Sequence, residues 1–255
     1  MPPRPYILAE STWKTVDPTP YEVAILPWGA TEAHNYHLPY GSDIVQAERV
    51  AALAAERAWN AGAKAVVLPA VPFGVNTTQL DIKLTINMNP STQAAVLGDV
   101  VSSLEGQGIR KLVLLNSHGG NDFKQMVREL QPTTRVFLAL VNWYSCVDVT
   151  QFIEEGGDHA GEAETSAMLY LAPELCGPLS DAGSGRARAS KLRGVREGWA
   201  WSPRQWTQVT ADTGIGNPAK ATAEKGRLYV EAAVERIAHF LGELAAAKLD
   251  DLYER

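Results

Sequence analysis

Two cysteines in 255 residues, Cys146 and Cys176, are too few for a disulfide framework. Neither lies in a CxxC pair, and both read as buried small hydrophobes. No apolar run approaches the roughly 18–20 residues of a membrane span. There is no run of basic residues either. Lys plus Arg number 23 against 29 Asp plus Glu, a formal net charge of −6. That balance argues against nucleic acid or an anionic membrane as partner. The stretch MPPRPYILAESTW has no apolar signal region, so the expected location is cytoplasmic. No internal repeat or low-complexity linker divides the chain, and one domain over residues 1–255 is expected. What is present is ordinary globular composition, 45% hydrophobic and 20% charged, which excludes a disordered chain. A chain this long buries roughly 70–75% of its unfolded surface, so it needs neither disulfide nor metal merely to fold.

Strand and helix patterns alternate. EVAILPW (22–28), KAVVLP (64–69), KLVLLN (111–116) and TRVFLALVN (134–142) read as strands. Apolar spacing predicts helices over 43–61, 90–106, 161–172 and 218–247, with Pro90 and Gly106 punctuating the second. A further helix opens after Asn121. Such alternation predicts an α/β fold with a mostly parallel sheet covered on both faces. Ligands in such sheets bind beyond the carboxyl ends of the strands. Two polar loops follow strand ends directly, at 29–43 and 116–121.

The chain has five histidines. His239 lies in a helical pattern and reads as a surface residue. The other four lie in three loop clusters. Glu32 and His34, two apart in an extended stretch, can face one side, with His37 and Asp43 following; Asp43 alone would read as a helix N-cap. Asn116-Ser117-His118-Gly119-Gly120-Asn121 is a glycine-rich strand end, either a close approach to a ligand or a tight turn. Asp158-His159-Ala160-Gly161-Glu162 opens a helix. An acidic residue there also suits the helix dipole, and His159 is placed to carry a proton. Together the clusters supply carboxylate and imidazole without thiolate, a donor set that suits zinc or manganese.

LPWGATEAHNYHLPYGSD (26–43), NSHGGN (116–121), HAGEAETSAML (159–169) and GIGNPAKATAEKG (214–226) resemble, in order, four motifs of the creatininase family of metal-dependent amidohydrolases. The resemblance implies a three-layer α/β/α sandwich, a homohexamer and two divalent ions per chain, Zn and/or Mn. It implies Glu32, Asp43 and His118 on one ion, and His34, Asp43 and Glu162 on the other. Creatininase itself takes the second ion's carboxylate from a Glu two residues after the loop histidine. That position is Gly120 here, whence the assignment to Glu162. By the same resemblance His159 transfers a proton, while His37, Asn116 and Trp143 support the ligands or the substrate. The implied reaction is attack of a metal-activated hydroxide on a small, cyclic amide.

This chain departs from the family pattern in several places. Asn35-Tyr36 replaces Gly-Pro, residues 71–87 lack the usual His and Pro-Gly-Thr, and Glu155 stands where creatininase has a tryptophan. Creatinine is therefore not the expected substrate. Trp143, Trp199, Trp201 and Trp206 are candidates for a pocket, a core or an interface. The alternatives kept open are a formamide deformylase, with Arg186, Arg188, Lys191 and Arg193 as a phosphate pocket, a short-peptide peptidase, and a non-catalytic oligomer braced by its metals.

Overall fold

A computed structural model describes residues 4–254; Met1–Pro3 of the N-terminal stretch and Arg255 lie outside the described residues. In chain order the elements are α1 (Trp13–Val16), β1 (Val23–Trp28), α2 (Ser42–Asn60), β2 (Ala65–Val67), α3 (Pro90–Gly106), β3 (Lys111–Asn116), α4 (Lys124–Leu130) and β4 (Phe137–Asn142). Then follow β5 (Gly157–His159), α5 (Glu162–Leu171), α6 (Arg193–Arg196), α7 (Trp206–Val209), β6 (Ile215–Gly216) and α8 (Ala223–Ala246).

The central sheet has the order β2-β1-β3-β4, and every pairing in it is parallel. Alternate residues of each strand point to opposite faces, and both faces are apolar. Val23, Ile25, Val67, Val113 and Leu115 pack with α2, α5 and α8. Ala24, Leu26, Val66, Leu112 and Leu114 pack with Leu97, Val101 and Leu104 of α3, and α4 adds Met126 and Leu130 at the edge of that core. The result is the expected three-layer α/β/α sandwich. The apolar strand runs follow from it, since a strand covered on both sides needs no polar alternation.

Pro27 sits in the central strand β1, where a missing N–H normally breaks a ladder. Its carbonyl accepts from Val71 N–H at 3.0 Å, after β2 has ended at Val67. The absent donor therefore falls where no β2 residue remains to receive it. From Trp28, paired with Asn116 at the carboxyl edge, the chain enters the loop that carries Glu32 and His34. A second, antiparallel pairing joins β5 to β6. This ribbon was not anticipated: it is two or three residues per strand and rich in glycine, so it carries no hydrophobic period. Among the described residues no helix is long and apolar enough to cross a membrane.

Candidate metal centre

The loops after β1 and β3 and the start of α5 converge at the carboxyl edge of the sheet. Gly29 lets the first of them turn back tightly. A Cβ there would fall 2.6 Å from Ile44 N and 2.8 Å from Asp43 C, so only glycine admits the start of α2. Asp43, in the first turn of α2, is thereby brought beside Glu32 and His34. Asn35, between His34 and His37, has φ +56°. Its Oδ1 accepts from Tyr36 N–H at 2.7 Å and Gly183 N–H at 2.8 Å, and its own N–H donates to Thr213 at 2.8 Å. Asparagine tolerates this left-handed geometry, which explains how Asn35-Tyr36 substitutes for Gly-Pro.

His118 is set by Asn116, whose Oδ1 accepts from His118 N–H at 3.2 Å and whose Nδ2 donates to His118 O at 2.9 Å. Trp143 lies beneath this loop, its indole N–H donating to Ser117 Oγ at 2.9 Å while its ring packs against Tyr229 in the core. It supports the loop from within the core. Trp199 and Trp201 are exposed, and Trp206 is buried with its indole edge-on to His159, ring centroids 5.2 Å apart.

Three overlapping groups of ligand-type atoms result: Glu32, Asp43 and His118; His34, Asp43 and Glu164; and Glu32, His34 and His159. His118 Nδ1 lies 3.0 Å from both Glu32 Oε1 and Asp43 Oδ2. His34 Nε2 lies 3.4 Å from Asp43 Oδ1 and from Glu164 Oε1. His159 Nδ1 is 3.6 Å from Glu32 Oε1. The far nitrogen of each ring meets a main-chain carbonyl: Glu32 O for His34 at 3.0 Å, Val75 O for His118 at 3.1 Å, and Ala33 O for His159 at 2.8 Å. A carbonyl only accepts, so the far nitrogens donate; each near nitrogen then either points a second proton at the carboxylates or, on a neutral ring, turns a lone pair toward them.

Lone pair facing carboxylate is unfavourable unless a cation lies between them. His34 Nε2 and Asp43 Oδ2 are buried without a hydrogen-bond partner, and the carboxylates of Glu32, Asp43 and Glu164 meet no lysine or arginine among the described residues. The electrostatics agree. Burial opposes a charged His34 ring, but Glu164 and Asp43 outweigh it and hold the ring well above the usual imidazole range. Burial likewise opposes a charged His118, and Glu32 and Asp43 raise it. Burial would raise the Glu164 carboxyl, yet His34 brings it down to about 2. The cluster demands positive charge, as protons on its rings or as divalent ions. Its donor set fits zinc or manganese.

Glu162 is not in the cluster, and the expectation for it is corrected. Two residues along a helix rotate a side chain by about 200°, so Glu162 and Glu164 point to nearly opposite faces. Glu162 pairs with Lys225 of α8 and accepts from Glu154 N–H at 3.1 Å and Glu155 N–H at 2.6 Å. Glu164 reaches His34 and also accepts from Ala160 N–H at 2.5 Å. The signal was in the HAGEAETS motif: only one of its two glutamates can share a face with the loop histidines. Nor can position 120 supply the carboxylate, since a Cβ there would stand 2.4 Å from His118 Nε2 and 2.5 Å from Val75 O. His37 bonds Thr165 Oγ1 of α5 at 2.9 Å and contributes to none of the three groups. Gln79, unnoticed in the sequence, donates its amide to Glu32 Oε2. It lies in an aperiodic loop with no motif to mark it.

Comparison with known proteins matches the creatininase family, described as creatinine amidohydrolase, over residues 9–241. The mycofactocin precursor peptide peptidase of Mycobacterium ulcerans (strain Agy99) is 28% identical over 244 residues, covering 90% of this chain and 87% of that protein. A solved structure from Bacteroides fragilis NCTC 9343, described provisionally as a creatinine amidohydrolase, has TM-score 0.91 and 44% identity, covering 97% of this chain and 98% of that one. Creatininase structures of Zn-Zn and Mn type have TM-scores of 0.80 and 0.79 at 24% identity, covering 95% of this chain and 99% of theirs, and share the fold.

Proposed function

The chain belongs to the creatininase family of amidohydrolases, and from that premise we propose that it hydrolyses a small amide C–N bond with the help of two divalent ions. The observation that carries this reading is Asp43, whose two oxygens face two different ligand groups. Glu32, Asp43 and His118 would hold one ion and His34, Asp43 and Glu164 the other. Zinc or manganese suits both, and creatininase structures exist in Zn-Zn and Mn forms. Bound ions would supply Lewis acidity toward the carbonyl oxygen and make water a nucleophile at neutral pH.

The protein's own contribution is positioning and proton traffic. The carbonyls of Glu32, Val75 and Ala33 fix the tautomer and orientation of the three rings. His159, with its Nε2–H tethered and Nδ1 turned inward, is assigned to carrying a proton to the departing nitrogen. It is preferred for that task because Glu32 and His34 already belong to the two groups that share Asp43.

The substrate is proposed to be a small, cyclic amide other than creatinine. Glu155, where creatininase has a tryptophan, pairs with Lys220 at 3.1 Å. A second reading, a short-peptide peptidase, is favoured by the match to the mycofactocin precursor peptide peptidase along nearly the whole chain. The formamide reading gains nothing from the basic loop: Arg186, Arg188, Lys191 and Arg193 are all exposed, and Arg193 pairs with Glu197 at 2.7 Å. A homohexamer is proposed on resemblance alone.

The test is metal content of gently purified protein, paired with a hydrolysis screen of lactams, formamides, creatinine and short peptides. The expected result is about two ions per chain and turnover abolished by chelation. No bound metal, and no activity after zinc or manganese is added, would contradict the proposal; bound metal without turnover of any amide would favour a non-catalytic, metal-braced protein.

A further inference from the structure

Glu32 is held from two sides. Its Oε1 faces His118 Nδ1 at 3.0 Å and His159 Nδ1 at 3.6 Å, while its Oε2 accepts from the side-chain amide of Gln79. The bond runs one way only, because an ionised carboxylate has no donor to offer. Gln79 is 3% exposed, and its own carbonyl Oε1 is buried with no partner among the described residues. The only side-chain hydrogen bond of Gln79 among the described residues therefore goes to a residue of the cluster.

The loop around it is anchored so that the contact is built in. Gln79 N–H donates to Asn76 O at 3.0 Å, and Ile82 N–H to Gln79 O at 3.0 Å. Thr78 O accepts from Trp206 N–H at 3.1 Å, and Asp81 accepts from the Thr207 hydroxyl at 2.6 Å. The amide therefore stands in a fixed place when the site is assembled.

We propose that Gln79 is the positioning residue of Glu32. By occupying Oε2 it leaves Oε1 alone for the ion shared with Asp43 and His118, and so sets the affinity of that one site. This rests on the two-ion reading above.

The experiment is calorimetric titration of the chelated full-length protein with Zn²⁺ and, separately, Mn²⁺. Wild type is compared with Gln79→Met, which keeps length and burial but has no N–H, and with Gln79→Glu, which keeps shape but sets a second carboxylate against Glu32. Wild type should show two binding events. Both variants should weaken one event by about 10–100-fold, the range for lost partners of metal ligands, and leave the other unchanged, with the melting temperature of the metal-free protein preserved. If a folded variant binds both ions like wild type, or loses both events equally, the assignment of Gln79 is overturned. If wild type itself binds fewer than two ions, the two-ion reading falls and takes this inference with it.

Discussion

Glu162 and Glu164 occupy the same helical turn, and their surroundings differ in kind. Glu162 is fully buried yet complete: a lysine on one oxygen and two backbone N–H groups on the other. Glu164, with Glu32 and Asp43, faces imidazole rings tethered on their far side to main-chain carbonyls, and no lysine or arginine among the described residues. The first carboxylate is neutralised by the fold and fastens the loop before His159 to α5 and α8. The second group has no lysine or arginine among the described residues and calls for protons on its rings or divalent ions. Buried acid is therefore no mark of function by itself; buried acid without its own counter-charge is.

The largest effect should come from Asp43→Ala, which removes the carboxylate common to both groups. Metal content should fall from about two ions per chain to none, measured by elemental analysis, with turnover at background. Retention of one ion would break the shared-ligand arrangement. His159→Ala should keep its metal while kcat falls about 10²–10⁴-fold; full activity would remove His159 from proton transfer.

The two glutamates can then be set directly against each other. Glu164→Gln should lose one ion. Glu162→Gln should keep both and instead lose about 1–3 kcal/mol of stability through its weakened partners, seen as a melting temperature lower by several degrees. The reverse pattern would restore Glu162 to the metal centre. Smallest of all, Trp201→Ala, at an 85% exposed position, should stay within about 0.5 kcal/mol of wild type in denaturant unfolding.

Much of the fold is legible in the sequence because it follows from periodicity. The helix expected over 90–106 is observed as Pro90–Gly106, its ends fixed by a proline that suits a first turn and by glycine. The helix expected from 218 begins at Ala223, because Thr222 caps it by accepting from Lys225 N–H. The β5–β6 ribbon is invisible because pairs this short are stabilised by contacts distant in sequence. At the site, Glu32, His34 and His118 stand in loops beside strand ends and Asp43 in the first turn of α2, where pattern and position agree. Glu164 was missed for a geometric reason: position along the motif says little until the helix phase decides which glutamate turns inward. Gln79 depends on the tertiary placement of loop 71–87, which no local pattern encodes.

The most direct measurement is anomalous diffraction at the zinc edge from crystals grown with zinc. Two peaks should appear, one among Glu32, Asp43 and His118 and one among His34, Asp43 and Glu164, with Asp43 touching both. A peak beside Glu162, or no peak at Asp43, would contradict the two-ion centre.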